Sequence, residues 1–194
     1  MLRCQEPLGA IATIDQLCHC GVRHVELAWM DHPGWVDLCL SIQQRYPELL
    51  LGAASVCSRP ALEASAAAGL SYAMSPILDP ELLQRAEQLE LILVPGVMTP
   101  TEVDRARRLG CRLVKLFPAA SLGPQYWQQL QGPLGALPFC IAAGGLKLAS
   151  VPEWLAAGVD AVALGAALFA RPDGPSRPDP GLSGLLQWLD ARAL

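Results

Sequence analysis

Four copies of one junction predict an α/β chain wound as a closed (β/α)8 barrel. In each copy a helix ends at a glycine, two residues follow, and an apolar strand begins. The copies are Gly21-Val22-Arg23-His24-Val25-Glu26, Gly69-Leu70-Ser71-Tyr72-Ala73-Met74, Gly110-Cys111-Arg112-Leu113-Val114-Lys115 and Gly158-Val159-Asp160-Ala161-Val162-Ala163. They lie 48, 41 and 48 residues apart, and each interval holds a further strand candidate, at 49–55, 91–95 and 139–143. The underlying period is therefore one strand plus one helix. Alternating strands and helices build a parallel sheet, and eight units, counting one strand before the first helix, close it into a barrel. The alternative is an open doubly wound sheet, but no Gly-x-Gly-x-x-Gly phosphate turn follows any strand.

The elements agree with this in order. Met1-Leu2-Arg3-Cys4 leaves room for a truncated first strand, unless the native chain starts upstream. Ser58-Arg59-Pro60 and Asp79-Pro80 read as helix starts. Thr99-Pro100-Thr101-Glu102 is a capping box with proline at the first helical position, and Ser150-Val151-Pro152-Glu153 repeats it. The last stretch differs: 170–181 is a Pro-rich linker and 182–194 a terminal helix, all within a single domain of residues 1–194.

Composition narrows the function. With 52% hydrophobic and 16% charged residues the chain can bury one large core. A formal charge of -4 without a basic cluster argues against nucleic acid. The start does not read as a signal peptide, and no apolar run reaches the roughly 18 residues of a membrane span. Seven scattered cysteines without a C-x-x-C pair fit reduced thiols, hence a cytoplasmic protein. Cys18-His19-Cys20 would point its side chains in different directions on a helix, and His19, His24 and His32 form no cluster with acidic ligands. No metal and no cofactor is expected.

The chemistry lies at Lys115. A strand covered on both faces has no solvent for an ammonium, so a lysine between Val114 and Leu116 needs a polar cavity or a chemical task. Glu26, Met74, Lys115 and Ala163 each lie five residues after their junction glycine and are candidates for one inward layer. The second and sixth strands oppose each other in an eightfold ring, so Glu26 and Lys115 face across the lumen. A neutral lysine attacks a ketone to give a Schiff base, whose iminium draws electrons from a neighbouring C–C bond; a carboxylate shuttles the protons. An ordinary lysine, with a pKa of about 10.4, is almost wholly charged at neutral pH. An apolar wall of Leu113 and Phe117, with Arg3 as a nearby cation, is expected to lower that value.

These residues resemble the 2-keto-3-deoxy-6-phosphogluconate / 4-hydroxy-2-oxoglutarate aldolases, class I enzymes on a (β/α)8 barrel. Val114-Lys115-Leu116-Phe117-Pro118-Ala119 looks like the family's Schiff-base motif, and Val25-Glu26-Leu27 matches the segment carrying its catalytic glutamate. Gly52-Ala53-Ala54-Ser55-Val56 resembles G-A-G-T-V, with Ser55 standing where threonine holds the substrate carboxylate. Ser75-Pro76 matches S-P-G. The segment from Pro95 to Glu102 matches P-G-x-x-T-P-T-E, and Gly144-Gly145-Leu146 matches T-G-G-I. Arg3, 23 residues before Glu26, fits the arginine ending the first strand.

The resemblance implies catalytic Lys115 and Glu26, with substrate contacts from Arg3, Ser55, Pro76, Phe117, Gly144, Gly145 and Gly165. It implies a phosphorylated 2-keto-3-deoxy sugar acid cleaved reversibly to pyruvate and glyceraldehyde 3-phosphate, the phosphate lying at the loops after the seventh and eighth strands. A homotrimer is implied too. The chain departs from the pattern at Met30, Ile77, Ala143 and Ala166, where the family has an arginine, a glycine and two hydroxyl residues. Leu122-Gly123-Pro124-Gln125-Tyr126 and Ala142-Ala143-Gly144-Gly145 look closer to the 6-phosphogalactonate branch. The alternatives are a 4-hydroxy-2-oxoglutarate aldolase or oxaloacetate decarboxylase on the same site, or a non-catalytic sugar-phosphate-binding barrel.

Overall fold

The computed structural model describes residues 1–3, 7–169 and 177–192. In chain order its first half contains α1 (Pro7–His19), β1 (His24–Ala28), α2 (Trp35–Arg45), β2 (Leu50–Ala54), α3 (Arg59–Ala67), β3 (Tyr72–Met74), α4 (Pro80–Gln88) and β4 (Ile92–Val94). The second contains β5 (Gly96–Val97), α5 (Pro100–Arg108), β6 (Leu113–Leu116), α6 (Gln125–Leu134), β7 (Phe139–Ala143), α7 (Val151–Ala156), β8 (Ala161–Ala163) and α8 (Leu182–Asp190).

The repeated junction is one local structure used four times. Gly21, Gly69, Gly110 and Gly158 take φ values of 94°, 63°, 80° and 90°. This left-handed turn is open to glycine and unfavourable for residues with a Cβ, so each helix stops there. β1, β3, β6 and β8 each start three residues later. Ser58, Asp79 and Thr99 cap α3, α4 and α5 by accepting from helix amides, and Thr99 with Glu102 closes the predicted box. The second predicted box does not form. Ser150 belongs to a 3-10 turn (Leu148–Ser150) leading into α7, and its hydroxyl donates to the Lys147 carbonyl at 2.8 Å.

All strand pairs are parallel, in two sheets of order β1-β2-β3-β4 and β5-β6-β7-β8. Pro95, which has no N–H to give, stands between β4 and β5, so these are the two halves of one stave. Leu2 bridges Leu27, and the Met1 amine donates to the Leu164 carbonyl at 2.7 Å. That stub is the first of eight staves and closes the ring between β8 and β1.

The pairing register fixes which side chains share a level. Glu26 pairs with Gly52 and Gly52 with Tyr72, which puts Met74 two residues further along. Met74 pairs with Val94, and Gly96, two residues on, pairs with Lys115. Lys115 leads through Ile141 to Ala161, two residues before Ala163. A stagger of two residues for every two strands is that of an eight-stranded barrel of shear eight. Glu26, Met74, Lys115 and Ala163 therefore form the predicted inward layer.

Two apolar cores lie between barrel and helices, one with Leu27, Ile42 and Leu62, the other with Val103, Leu116 and Trp154. The helix α8 rests on the first through Leu182 and Leu186. Residues 170–176 of the expected linker, and 193–194 of the expected terminal helix, lie outside the described residues.

At the lower mouth the inward-facing Leu50, Ile92 and Phe139 are 46%, 55% and 45% exposed. A cavity of about 730 Å³ runs from Ile92 and Phe139 past Tyr72 and Met74 to Glu26, and outward under Leu185 and Leu189 of α8.

Candidate active site

Lys115 on β6 and Glu26 on β1 project inward from opposite staves. They are 7% and 8% exposed, the two charged members of the buried set. Among the described residues the ion pairs lie on the surface, at His19–Asp15, Arg59–Glu63, Arg85–Glu63 and Arg108–Asp104. Lys115 and Glu26 are not in direct contact. They interact through space, the Glu26 charge acting on Lys115 without an ion pair between them.

Burial pushes the Lys115 ammonium below the ordinary lysine value, and the charges of Glu26 and Cys57 oppose that shift. Desolvation dominates because an ammonium in a lumen walled by apolar side chains loses its hydration shell. The Nζ lies 4.8 Å from the centroid of the Phe117 ring, so Phe117 is the expected wall and holds whatever cation forms there. Leu113 is one inward position lower on the same strand. Arg3 does not play the part expected of it, since it is not among the groups acting on Lys115. Its Nη2 instead donates to Ser55 Oγ at 3.3 Å on the upper rim, joining two of the expected substrate contacts. Ser55 has a φ of 61°, a left-handed conformation that non-glycine residues keep mainly where surrounding structure imposes it.

The remaining expected residues lie around the same rim. A Cβ on Gly96 would stand 2.2 Å from the Pro76 carbonyl carbon, so β5 and the Ser75-Pro76 turn are in backbone contact. Gly144 and Gly145 have φ of 96° and 76°, and a Cβ on Gly144 would meet the Phe117 ring at 2.9 Å. The loop after β7 is thus pressed onto the wall beside Lys115. At Gly165, by contrast, a Cβ would meet Met1 Cε at 3.8 Å, an ordinary contact, so neither strain nor crowding demands glycine there.

Two neighbours escaped the sequence reading. Cys57, two residues beyond Ser55, is a thiol at the exposed rim whose pKa is raised by partial desolvation, a shift that the charge of Lys115 opposes. Burial and the Glu26 charge raise the phenol pKa of Tyr72, which lies one inward position below Met74. Its ring occupies the space a side chain on Gly52 would need, with a Cβ there 2.4 Å away. The Gly52-to-Tyr72 register was the signal for it, invisible before strands are paired. The cavity below is lined mainly by leucine, isoleucine, valine and phenylalanine, a poor environment for an anionic substrate, so access is from the upper rim.

The family model of KDPG and KHG aldolases matches residues 1–172. The chain belongs to this family. It is accordingly an aldolase, a carbon–carbon lyase. Among relatives of the family, the 2-dehydro-3-deoxy-6-phosphogalactonate aldolase of Escherichia coli (strain K12) is 28% identical over 170 residues, covering 87% of this chain and 82% of the relative. The 2-dehydro-3-deoxy-phosphogluconate aldolase of Dickeya dadantii (strain 3937) is 34% identical over 137 residues, covering 70% and 63%, so the match spans under two thirds of that relative. The native KDPGal structure superposes with a TM-score of 0.85 at 26% identity, covering 100% of this chain and 94% of that one. A KDPG aldolase from Legionella pneumophila, with pyruvate captured at low pH as a covalent carbinolamine intermediate, has a TM-score of 0.77 at 22% identity, covering 96% and 88%, and supports the fold.

Proposed function

We propose that Lys115 is the Schiff-base lysine of a class I aldolase whose substrate is a 2-keto-3-deoxy-6-phospho sugar acid, cleaved reversibly to pyruvate and glyceraldehyde 3-phosphate. The observation that carries this is the buried Lys115 amine, held below its ordinary pKa in the same inward layer as Glu26. The neutral amine adds to the C2 ketone to form a carbinolamine, and loss of water gives the iminium. Glu26 accepts the proton of the C4 hydroxyl as the C3–C4 bond breaks, and the bonding electrons pass into the enamine. Protonation of C3 and hydrolysis then release pyruvate and return the amine. The Phe117 face stabilises the iminium. Arg3 and Ser55, already hydrogen-bonded to each other, bind the substrate carboxylate, with Pro76 closing that side. Gly144, Gly145 and Gly165 admit the phosphate-bearing end.

The galactonate-type substrate is favoured over the gluconate type, supported by the 87% coverage of this chain in the E. coli match. The working particle is a cytoplasmic homotrimer. Free cysteines at 18, 20, 39, 57, 111 and 140 support the compartment, and exposed Ile77 and Met98 on the upper rim offer apolar surface for subunit contact. The test is borohydride reduction in the presence of pyruvate, followed by peptide mass mapping. A reduced adduct on the peptide containing Lys115 is expected. An unmodified Lys115 under conditions that label a known class I aldolase overturns the assignment.

A further inference from the structure

The lumen beside Glu26 holds one hydroxyl that the reaction leaves without a task. Of the three tyrosines, Tyr46 donates to Asp15 Oδ1 at 2.8 Å and Tyr126 to the Met98 carbonyl at 2.7 Å. The Tyr72 hydroxyl makes no such bond among the described residues. Tyr72 is half-buried on the inner face of β3 and, with Glu26, lines the cavity of about 730 Å³. Phenol hydroxyls inside proteins ordinarily find a partner. Filling the space over Gly52 takes only the ring, which phenylalanine supplies without carrying a hydroxyl into an apolar cavity.

The pairing register says where that hydroxyl points. Glu26 pairs with Gly52 and Gly52 with Tyr72, so acid and phenol flank a stave that carries no side chain between them. The ring atoms nearest a Cβ on Gly52 would be Cζ, Cε2 and Cε1, at 2.4, 2.5 and 2.7 Å. These form the far end of the ring. Tyr72 therefore lies across β2, and its hydroxyl, one bond beyond Cζ, is delivered toward β1. Neighbouring strands are about 4.8 Å apart, a span that this reach and the flexible Glu26 side chain cover together. Burial and the Glu26 charge keep the phenol protonated, a donor, throughout the neutral range. The other ionisable groups around the two are Lys115 and the Met1 amine beside Glu26, and Arg23, His24 and Asp160 toward the lower mouth. Asp160 already accepts from the Cys140 amide at 2.7 Å.

We infer that Tyr72 is the positioning residue of Glu26: its hydroxyl donates to one carboxylate oxygen from below and leaves the other turned up toward the substrate. No hydrogen bond joins the two in this structure, and the bond is of the kind that tightens when a substrate fixes the carboxylate. What Glu26 then does rests on the proposed Schiff-base reading; the contact itself is separable from it. A held carboxylate keeps its angle to the C4 hydroxyl while it takes the proton, so Tyr72 acts on turnover and not on substrate binding. Donation to the ionised oxygen also favours the form of Glu26 that accepts a proton.

The experiment labels the protein with fluorotyrosine and follows it by fluorine NMR across the acid range. Tyr46→Phe and Tyr126→Phe assign their own signals and leave Tyr72 as the third, whether or not Tyr72→Phe folds. The Tyr72 signal is expected to shift as a neighbouring carboxyl ionises; Glu26→Gln removes that step and Asp160→Asn leaves it. Cleavage of the phosphorylated keto-deoxy acid is then compared in the wild type and Tyr72→Phe over the same pH range. Loss of the donor lowers kcat about threefold to tenfold with KM within about twofold, and moves the acid limb of the kcat profile up by about half to one pH unit. A ring that merely fills space leaves that limb where it is. A Tyr72 signal without a Glu26-dependent step overturns the inference whatever kcat does, and so does an acid limb that stays in place in Tyr72→Phe. Borohydride trapping of pyruvate in the wild type tests Lys115 separately. A Glu26-dependent step without a trapped adduct supports the contact of Tyr72 with Glu26 and removes the Schiff-base reading alone.

Discussion

Alanine at Gly52 and at Gly96 separates two kinds of crowding inside one barrel. A Cβ on Gly52 would stand 2.4, 2.5 and 2.7 Å from three ring atoms of Tyr72; one on Gly96 would stand 2.2 and 2.3 Å from the carbonyl carbon and oxygen of Pro76. Ordinary carbon contacts lie at about 3.5–4.0 Å, so each neighbour has to retreat by about 1 Å or more. Tyr72 has somewhere to go, because its ring lines the cavity of about 730 Å³. Pro76 has not: Ser75 donates to the Val94 carbonyl at 2.9 Å and Gly96 to the Ile77 carbonyl at 3.1 Å, pinning the backbone on both sides. Overpacking costs about 1–3 kcal/mol, while alanine in a strand regains about 0.5–1 kcal/mol over glycine. Gly52→Ala should therefore lose about 1 kcal/mol and Gly96→Ala about 3 kcal/mol. For a chain of this size those losses lower the melting temperature by about 3 °C and about 9 °C. Gly96 also pairs with Lys115, so the second variant should lose pyruvate trapping while the first keeps it. Calorimetry and trapping yields read both effects. Equal losses in the two variants would refute the reasoning, as would a Gly52→Ala defect that persists when Tyr72→Ala is added.

Three further outcomes follow from the same contacts. Burial holds Lys115 below its ordinary pKa, so the unfolded chain binds more protons than the folded one between the two values, and folding stability rises with pH there. Lys115→Met should thus raise the melting temperature at neutral pH, and that gain should shrink as pH approaches about 10.4. Thr99→Ala removes the capping box of α5 and should cost about 1 kcal/mol in denaturant titration, with the m-value unchanged. Burial pushes the Cys39 thiol up to about 12, whereas Cys57 is exposed at the rim. Iodoacetamide should label Cys57 in the native protein, reach Cys39 on unfolding, and label Cys57 more slowly once pyruvate is trapped.

Most of the barrel was legible because its signals are local. A glycine at each junction, proline after Ser58, Asp79 and Thr99, and an apolar run three residues past each glycine depend on neighbours in sequence, and the structure uses each of them. The layer holding Glu26 and Lys115 was legible for the same reason, since equal spacing from a repeated turn becomes equal height on the barrel. What could not be read depends on pairing across staves. The Tyr72 ring over Gly52, the approach of Cys57 to Lys115, and the engagement of Arg3 with Ser55 each join residues from different strands. Ser150 failed as a cap because a turn stabilised by its own hydroxyl competed with the box, a choice between two local hydrogen bonds that composition does not decide.

The break at Pro95 makes the barrel a pair of half-shells, each with its own apolar filling, joined along that proline on one side and along the slender Leu2 bridge on the other. Glu26 belongs to one shell and Lys115 to the other. The distance between acid and amine is therefore set across both seams. The Pro95 carbonyl accepts from the Lys115 amide at 2.8 Å, so the stave that carries this seam also sets the height of the reactive amine.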